Sequence, residues 1–203
     1  MIGLYAIVQN VPEGATDPEG GLLRAVRAGR LIALVGPPSP SVSPEALRAH
    51  EAAVRRIADK ADACLPARFG ARAENEAALT RELEERKDEL TSALALVQGR
   101  EQMTLRVRTS LPGKKAGKRK SGTRYLEDRR REQAAPELDP LRQRLNQLVR
   151  AEKVERAGEV LISVYHLIDR GQSEAYSRAI TAQPLSGLEV SVTGPWPAWS
   201  FSP

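Results

Sequence analysis

Apolar and polar positions recur with two different periods along this chain, and together they predict a mixed α+β fold. Residues 4–9 and 29–36 are short apolar runs of the kind found in buried strands. The segments 44–64 and 74–97 instead carry apolar residues three and four positions apart, which is the spacing of amphipathic helices. The first half therefore predicts two strands followed by two helices, the second of them long and continuous.

The second half of the chain predicts a small sheet with helices on one of its faces. The predicted order is strand, helix, strand, helix and strand, over residues 101–109, 123–152, 159–168, 172–182 and 188–193. The strand 159–168 is apolar on both faces, as in the centre of a sheet, and prolines interrupt the helix 123–152. We therefore predict two small α+β domains with long amphipathic helices, residues 1–98 and 99–203.

The net charge of +5 comes from one segment of the chain. Residues 114–131 hold nine Lys or Arg and two Asp or Glu, and the rest of the chain holds 22 basic and 24 acidic residues. A basic segment of this kind indicates either contact with phosphates or an acidic protein surface, or a solubilising loop, which we favour. The loop covers 112–122, and its candidate electrostatic contacts are Lys114, Lys115, Lys118, Arg119 and Lys120.

The C-terminal tail, residues 194–203, is rich in aromatic residues. Three of the eight aromatic residues of the chain lie here, and prolines make a helix unfavourable. Such a tail indicates either docking onto the C-terminal sheet or a surface for a protein partner, with Trp196, Pro197, Trp199 and Phe201 as the candidate interface. We expect Trp196 to be mainly structural, and Trp199 and Phe201 to be more exposed.

The residues that usually carry catalysis or bind metals are few and dispersed. His50 and His166 lie on an apolar helix face and an apolar strand, where a buried, hydrogen-bonded histidine is the more common role and a general base or metal ligand the alternative. Cys64 is the single cysteine, which favours a reducing compartment and a buried, unreactive thiol. We predict no enzyme activity, metal or cofactor. We also expect no small-molecule substrate, and no membrane contact since no run approaches ~20 apolar residues.

Six short motifs, in the same order along the chain, resemble the gas vesicle proteins of the GvpF/GvpL type. The most specific are Leu-Pro-Ala-Arg-Phe-Gly at 65–70 and Gly-Pro-Trp-Pro-Ala-Trp-Ser-Phe at 194–201. The others lie at 4–8, 50–54, 97–101 and 121–126. The motifs span nearly the whole chain.

This resemblance implies two α+β domains, of which the C-terminal one has a modified ferredoxin-like fold. It also implies a non-enzymatic accessory or minor structural role in gas vesicle assembly, in the cytoplasm. The expected partners are the hydrophobic shell protein of the vesicle and other accessory proteins. The alternative is a nucleic-acid-binding or regulatory module that uses residues 114–131. We favour the first, because only Tyr125 lies near the basic loop to stack on a base.

Overall fold

The computed structural model describes residues 1–39, 42–109, 135–157, 161–182 and 187–203, without the side chains of residues 109 and 157. The chain forms two compact units. The first comprises Met1–Glu101 and Trp196–Pro203, and the second lies within Gln102–Pro195. Each unit contains one antiparallel sheet, so the predicted mixed α+β fold is confirmed.

The first unit packs helix α1 against a sheet in which strand β1 is central. Its elements are β1 (Ile2–Val8), β2 (Arg24–Ala28), β3 (Leu31–Gly36), α1 (Pro44–Lys60), β4 (Cys64–Pro66), β5 (Arg72–Ala73), α2 (Glu76–Glu85), α3 (Lys87–Val97) and a 3-10 turn at Trp199–Phe201. The strand order is β2-β3-β1-β4, and β5 also pairs with β1.

The start of α1 follows from its sequence. The hydroxyl oxygen of Ser43 accepts a hydrogen bond from the backbone N–H of Ala46, at 3.1 Å, and Pro44 occupies the first turn. Within the helix, Val54 and Ile57 are almost completely buried. This amphipathic helix was predicted from its apolar spacing, and it positions His50 on its buried face.

Two features of the first unit differ from the prediction. The predicted helix 74–97 is two helices, because the backbone of Arg86 leaves the helical conformation (φ −102°, ψ 14°). The buried leucines continue with helical spacing on both sides of Arg86, so the apolar pattern does not reveal the break. Strand β2 was not predicted, because it is an edge strand with only Val26 and Ala28 buried.

The second unit is built around strand β8, whose residues are buried on both faces as predicted for a central strand. Its elements are β6 (Arg100–Thr109), a 3-10 turn (Pro136–Leu138), α4 (Asp139–Leu145), β7 (Val149–Ala157), β8 (Leu161–Asp169), α5 (Ser173–Thr181) and β9 (Leu188–Trp196). The strand order is β7-β8-β6-β9. Leu105 of β6, Leu145 of α4 and Tyr176 of α5 meet in its core.

The predicted helix 123–152 is wrong at its C-terminal end. Residues 123–134 lie outside the described ranges, and helix α4 covers only Asp139–Leu145. From Val149 the chain is strand β7, which pairs antiparallel with β8 over its whole length. The charged residues of β7 resemble an exposed helix face, and the strand forms because the partner strand supplies its hydrogen bonds.

The junction before the aromatic tail requires glycine. The backbone of Gly194 has φ +130°, and a Cβ atom there would lie 2.9 Å from both the carbonyl oxygen of Gln102 and the sulfur of Met103. The sequence places the following tail in the second domain, whereas the structure places Trp196–Pro203 in the first unit. In the described ranges, no helix has the length and apolarity needed to cross a membrane.

Replacement of Gly194 tests this junction. We expect Gly194→Ala to lower the free energy of unfolding by more than Gly99→Ala, measured by urea denaturation. Both glycines have positive φ, but a methyl group at Gly99 meets no atom within 4 Å. Gly99→Ala should therefore cost only the backbone strain, about 1–2 kcal/mol. Equal losses in the two variants would show that the close contacts at Gly194 are relieved without cost.

Candidate functional site

His50 is fixed on the buried face of α1 by a hydrogen bond to the chain just after β4. Its Nε2 atom lies 3.0 Å from the carbonyl oxygen of Ala67, and the residue is 6% exposed. A carbonyl oxygen only accepts hydrogen bonds, so Nε2 carries the proton. Burial lowers the pKa of His50 below 6.5, and the bond to Ala67 opposes this shift. The imidazole is therefore neutral at neutral pH, as a buried, hydrogen-bonded histidine.

Three aromatic rings from three other segments surround the imidazole. Tyr5 of β1 stacks on it, with ring centroids 5.2 Å apart and an interplanar angle of 29°. Phe69 meets it edge to face at 5.5 Å, and Trp199 lies tilted at 6.5 Å. We call these four residues the His50 cluster. Aromatic pairs at these distances add stabilisation beyond their buried area.

The four tail residues of the predicted interface differ in exposure. Phe201 is 4% exposed and Pro197 is buried, whereas Trp196 and Trp199 are half-buried. The turn that carries Phe201 packs against β4. The prediction that Phe201 is exposed is therefore wrong, because its turn packs against the buried strand β4. The guanidinium of Arg55 lies 4.8 Å from the ring centroid of Trp196, within cation–π distance.

A cleft of about 670 Å3 opens beside the His50 cluster in the first unit. Tyr5, His50 and Phe69 belong to its lining, as do the acidic residues Asp17 and Glu19. The hydroxyl of Tyr5 donates a hydrogen bond to the carbonyl oxygen of Pro37 at 3.1 Å. Burial, and then the negative charges of Asp17 and Glu19, raise the pKa of Tyr5. The cleft is thus partly aromatic and carries negative charge.

His166 lies in a separate set of hydrogen bonds inside the second unit. Its Nδ1 atom is 2.6 Å from the hydroxyl of Tyr176, and its Nε2 atom is 2.9 Å from Glu152. Arg142 donates two hydrogen bonds to Oε1 of the same carboxylate, at 3.0 and 2.8 Å. We call Arg142, Glu152, His166 and Tyr176 the His166 network. The hydrogen bond from His166, assisted by Arg142, lowers the pKa of Glu152 to about 2.

The His166 network places a histidine beside a carboxylate, as a general base in an enzyme would require. Both ring nitrogens of His166 are occupied, however, and the residue is 2% exposed. Tyr176 is completely buried, and burial raises the pKa of its hydroxyl far above the usual value. These groups therefore hold β7, β8 and α5 together, and a substrate has no access to the imidazole.

The remaining predicted site residues divide between buried and undescribed positions. Cys64 is buried in strand β4. The basic residues Lys114, Lys115, Lys118, Arg119 and Lys120 lie outside the described ranges, so their predicted contacts stay predictions. Within the part of the chain that the structure describes, no three His, Cys, Asp or Glu side chains are grouped as metal ligands.

The chain is similar to known proteins over nearly its whole length. The family model for gas vesicle synthesis protein GvpL/GvpF matches residues 2–203. Among solved structures, gas vesicle protein GvpF from Microcystis aeruginosa has a TM-score of 0.73 at 16% identity, covering 100% of this chain and 98% of that one. GvpF from Anabaena sp. PCC7120 has a TM-score of 0.71 at 14% identity, covering 100% and 95%. No curated protein matches the sequence.

The His166 network predicts how stability depends on pH. The pKa of Glu152 is lower in the folded protein than the ordinary 4.5, so its stabilisation is complete above that value and is lost as the pH falls towards 2. The shift corresponds to about 2–4 kcal/mol. We expect Glu152→Gln to be less stable than wild type at pH 7, and the difference to shrink between pH 5 and pH 2.

Urea unfolding across this pH range measures the effect, with Glu174→Gln as the matched control. Glu174 is an exposed glutamate on α5, outside the network. Its replacement should leave the acid dependence of the wild type intact. A Glu152→Gln protein with the same acid dependence as wild type would contradict the assignment.

Proposed function

The chain belongs to the GvpL/GvpF family, which implies a role in gas vesicle formation, and we propose that it acts there as a non-enzymatic assembly protein that binds the hydrophobic shell protein. Two half-buried indoles on an anchored tail carry this proposal. Phe201 is buried in the first unit, and Trp196 and Trp199 lie on the same short segment with part of each ring accessible. The accessible parts of the two indoles are suited to contact with an apolar surface of the partner.

The chemistry of tryptophan supports a contact with an apolar protein. An indole offers a large, rigid apolar area at low entropic cost, and its N–H still donates a hydrogen bond to the partner. Pro197 fixes the backbone between the two indoles, and the stack on Arg55 restrains Trp196. A restrained side chain loses little conformational entropy on binding, which favours affinity.

The state of the two histidines supports a role without catalysis. His50 makes a hydrogen bond to a backbone carbonyl and is covered by aromatic rings, and His166 has both nitrogens occupied inside the second unit. Nε2 of His50 and both ring nitrogens of His166 are engaged in hydrogen bonds, which favours a structural role over acid–base catalysis. We propose that both residues stabilise the fold that presents the tail.

We also infer that the second unit is a variant of the ferredoxin-like fold. The described elements of this unit run strand, helix, strand, strand, helix, strand, from β6 through β9. In the sheet the first of these strands, β6, lies between the third and the fourth, which are β8 and β9. The division of the chain into two compact units supports a separate proposal. We propose that residues 1–98 and 99–195 are the two folding domains, and that the tail stabilises the first.

Substitution of the tail residues separates binding from folding. Trp199→Ala and Trp196→Ala should each weaken co-purification with the co-expressed shell protein, by about 2 kcal/mol or roughly 30-fold in affinity. Phe201→Ala should instead lower the free energy of unfolding by about 3–5 kcal/mol, because it empties a buried site. Tyr165→Ala is the matched control, since Tyr165 is a half-buried aromatic residue of the second unit. Undiminished shell-protein binding by both tryptophan variants would refute the role of the tail.

A further inference from the structure

The cleft beside the His50 cluster has apolar walls as well as aromatic ones. Pro37, Pro38 and Phe69 line it, together with Ala46 and Ala49 on the α1 side. Val42, which also belongs to the lining, is 93% exposed. When a partner covers an exposed apolar side chain beside an apolar cleft, the free energy of the system falls.

The charge of the cleft is negative. Among its described lining residues, the carboxylates of Asp17, Glu19 and Glu45 face one guanidinium, that of Arg72. Glu45 also forms an ion pair with Arg48, but both side chains are about three-quarters exposed, so this pair contributes little and exchanges readily. The charge and the apolar walls together favour a ligand that is both cationic and apolar.

Asp17 holds part of this negative charge in a fixed position. The residue is 5% exposed, and its Oδ1 atom accepts hydrogen bonds from the backbone N–H groups of Glu19 and Gly21, at 2.9 and 2.8 Å. Arg56 donates a hydrogen bond to the backbone carbonyl oxygen of Asp17 and not to its carboxylate. In the described ion pairs the carboxylate therefore has no basic partner, and its Oδ2 atom accepts no described hydrogen bond. Oδ2 is not among the described buried polar atoms that lack a partner, so it is accessible to the cationic group of a ligand.

We propose that this cleft binds an amphipathic peptide segment of a partner protein, in which a Lys or Arg lies next to apolar residues. The cationic head pairs with Asp17 and Glu19, and its methylene stem lies along Phe69 and the prolines. The apolar neighbours of the basic residue cover Val42. A bare cation satisfies only the carboxylates, and an uncharged apolar segment leaves Asp17 unpaired. This inference goes beyond the proposed function, and it assigns a second surface on the same unit as the tail.

Binding of a defined probe tests the chemistry of the cleft. The probe is a fluorescein-labelled amphipathic dodecapeptide of Leu and Lys, and the comparison peptides replace Lys by Glu, or Leu by Gly. With the full chain, we expect fluorescence anisotropy to show binding of the Leu/Lys peptide that is at least tenfold tighter than binding of either comparison peptide. Added salt should weaken it, because an ion pair contributes.

Two cleft variants and one matched control show where the peptide binds. The double variant Glu19→Gln/Glu45→Gln removes charge from the rim, and Ala49→Phe fills the cleft from α1. Each should weaken binding at least tenfold. Glu84→Gln/Glu85→Gln removes the same charge from exposed positions on α2 and should leave binding unchanged. Thermal unfolding of each variant confirms that it is folded, and Ala46→Phe replaces Ala49→Phe if the latter is not.

The outcomes distinguish this inference from the proposed function. Equal weakening by the α2 control, or full binding by the filled cleft, overturns the cleft as the site. A wild-type chain that dimerises in sedimentation, and whose cleft variants are monomeric, also overturns it by identifying the occupant as a second copy. If shell protein co-purifies equally with wild type and cleft variants that no longer bind the peptide, the cleft is not used for that partner and the proposed function stands. Cleft-dependent peptide binding without any shell-protein binding by wild type supports the cleft and refutes the proposed function.

Discussion

The hydrogen bond from Nε2 of His50 to the carbonyl oxygen of Ala67 is the interaction on which the first unit depends. Both atoms are buried, so each would be left unsatisfied if the other were removed, at a cost of about 1–3 kcal/mol. The bond also fixes the plane of the imidazole. Tyr5 and Phe69 then pack on a ring whose orientation is already set, and Trp199 of the tail lies against it.

This arrangement explains in physical terms why the motifs of the sequence belong together. The motif at 65–70 supplies the carbonyl oxygen of Ala67 and the ring of Phe69, and its glycine has φ +81°, which L side chains rarely adopt. The motif at 194–201 supplies Trp199, after a glycine that a methyl group would disrupt. Tyr5, Phe69 and Trp199 thus come from three segments far apart in sequence and meet at His50. Tyr5 and Phe69 also line the cleft beside it.

Local patterns predicted the elements that are stabilised by local interactions or are buried on both faces. The cap at Ser43 and the apolar spacing were sufficient for α1, and the two-sided apolar run was sufficient for β8. Residues 149–152 of strand β7 were predicted as the end of a helix, and residues 153–157 were assigned to no element, because the charged residues of β7 carry no strand period. The partner strand of β7 is visible only in three dimensions. The break at Arg86 and the burial of Phe201 likewise depend on packing that the spacing of residues does not record.

The candidate sites were predictable to a smaller extent than the elements. The sequence indicated that His50 and His166 would be buried and hydrogen-bonded, but it gave no means of pairing His166 with Glu152, fourteen residues earlier on the neighbouring strand. It also drew attention to the tryptophans while leaving the acidic cleft unnoticed. Asp17, Glu45 and Phe69 are far apart along the chain, and only the fold brings them to one cavity.

The protonation state of His50 tests the central claim most directly. Two-bond 1H–15N correlation spectra of the full chain, recorded across pH and assigned with His50→Gln, report both the tautomer and the pKa. We expect a single neutral tautomer with the proton on Nε2, and a pKa below 6.5. A proton on Nδ1, or an imidazole that exchanges between tautomers and titrates at 6.5 or above, would contradict it.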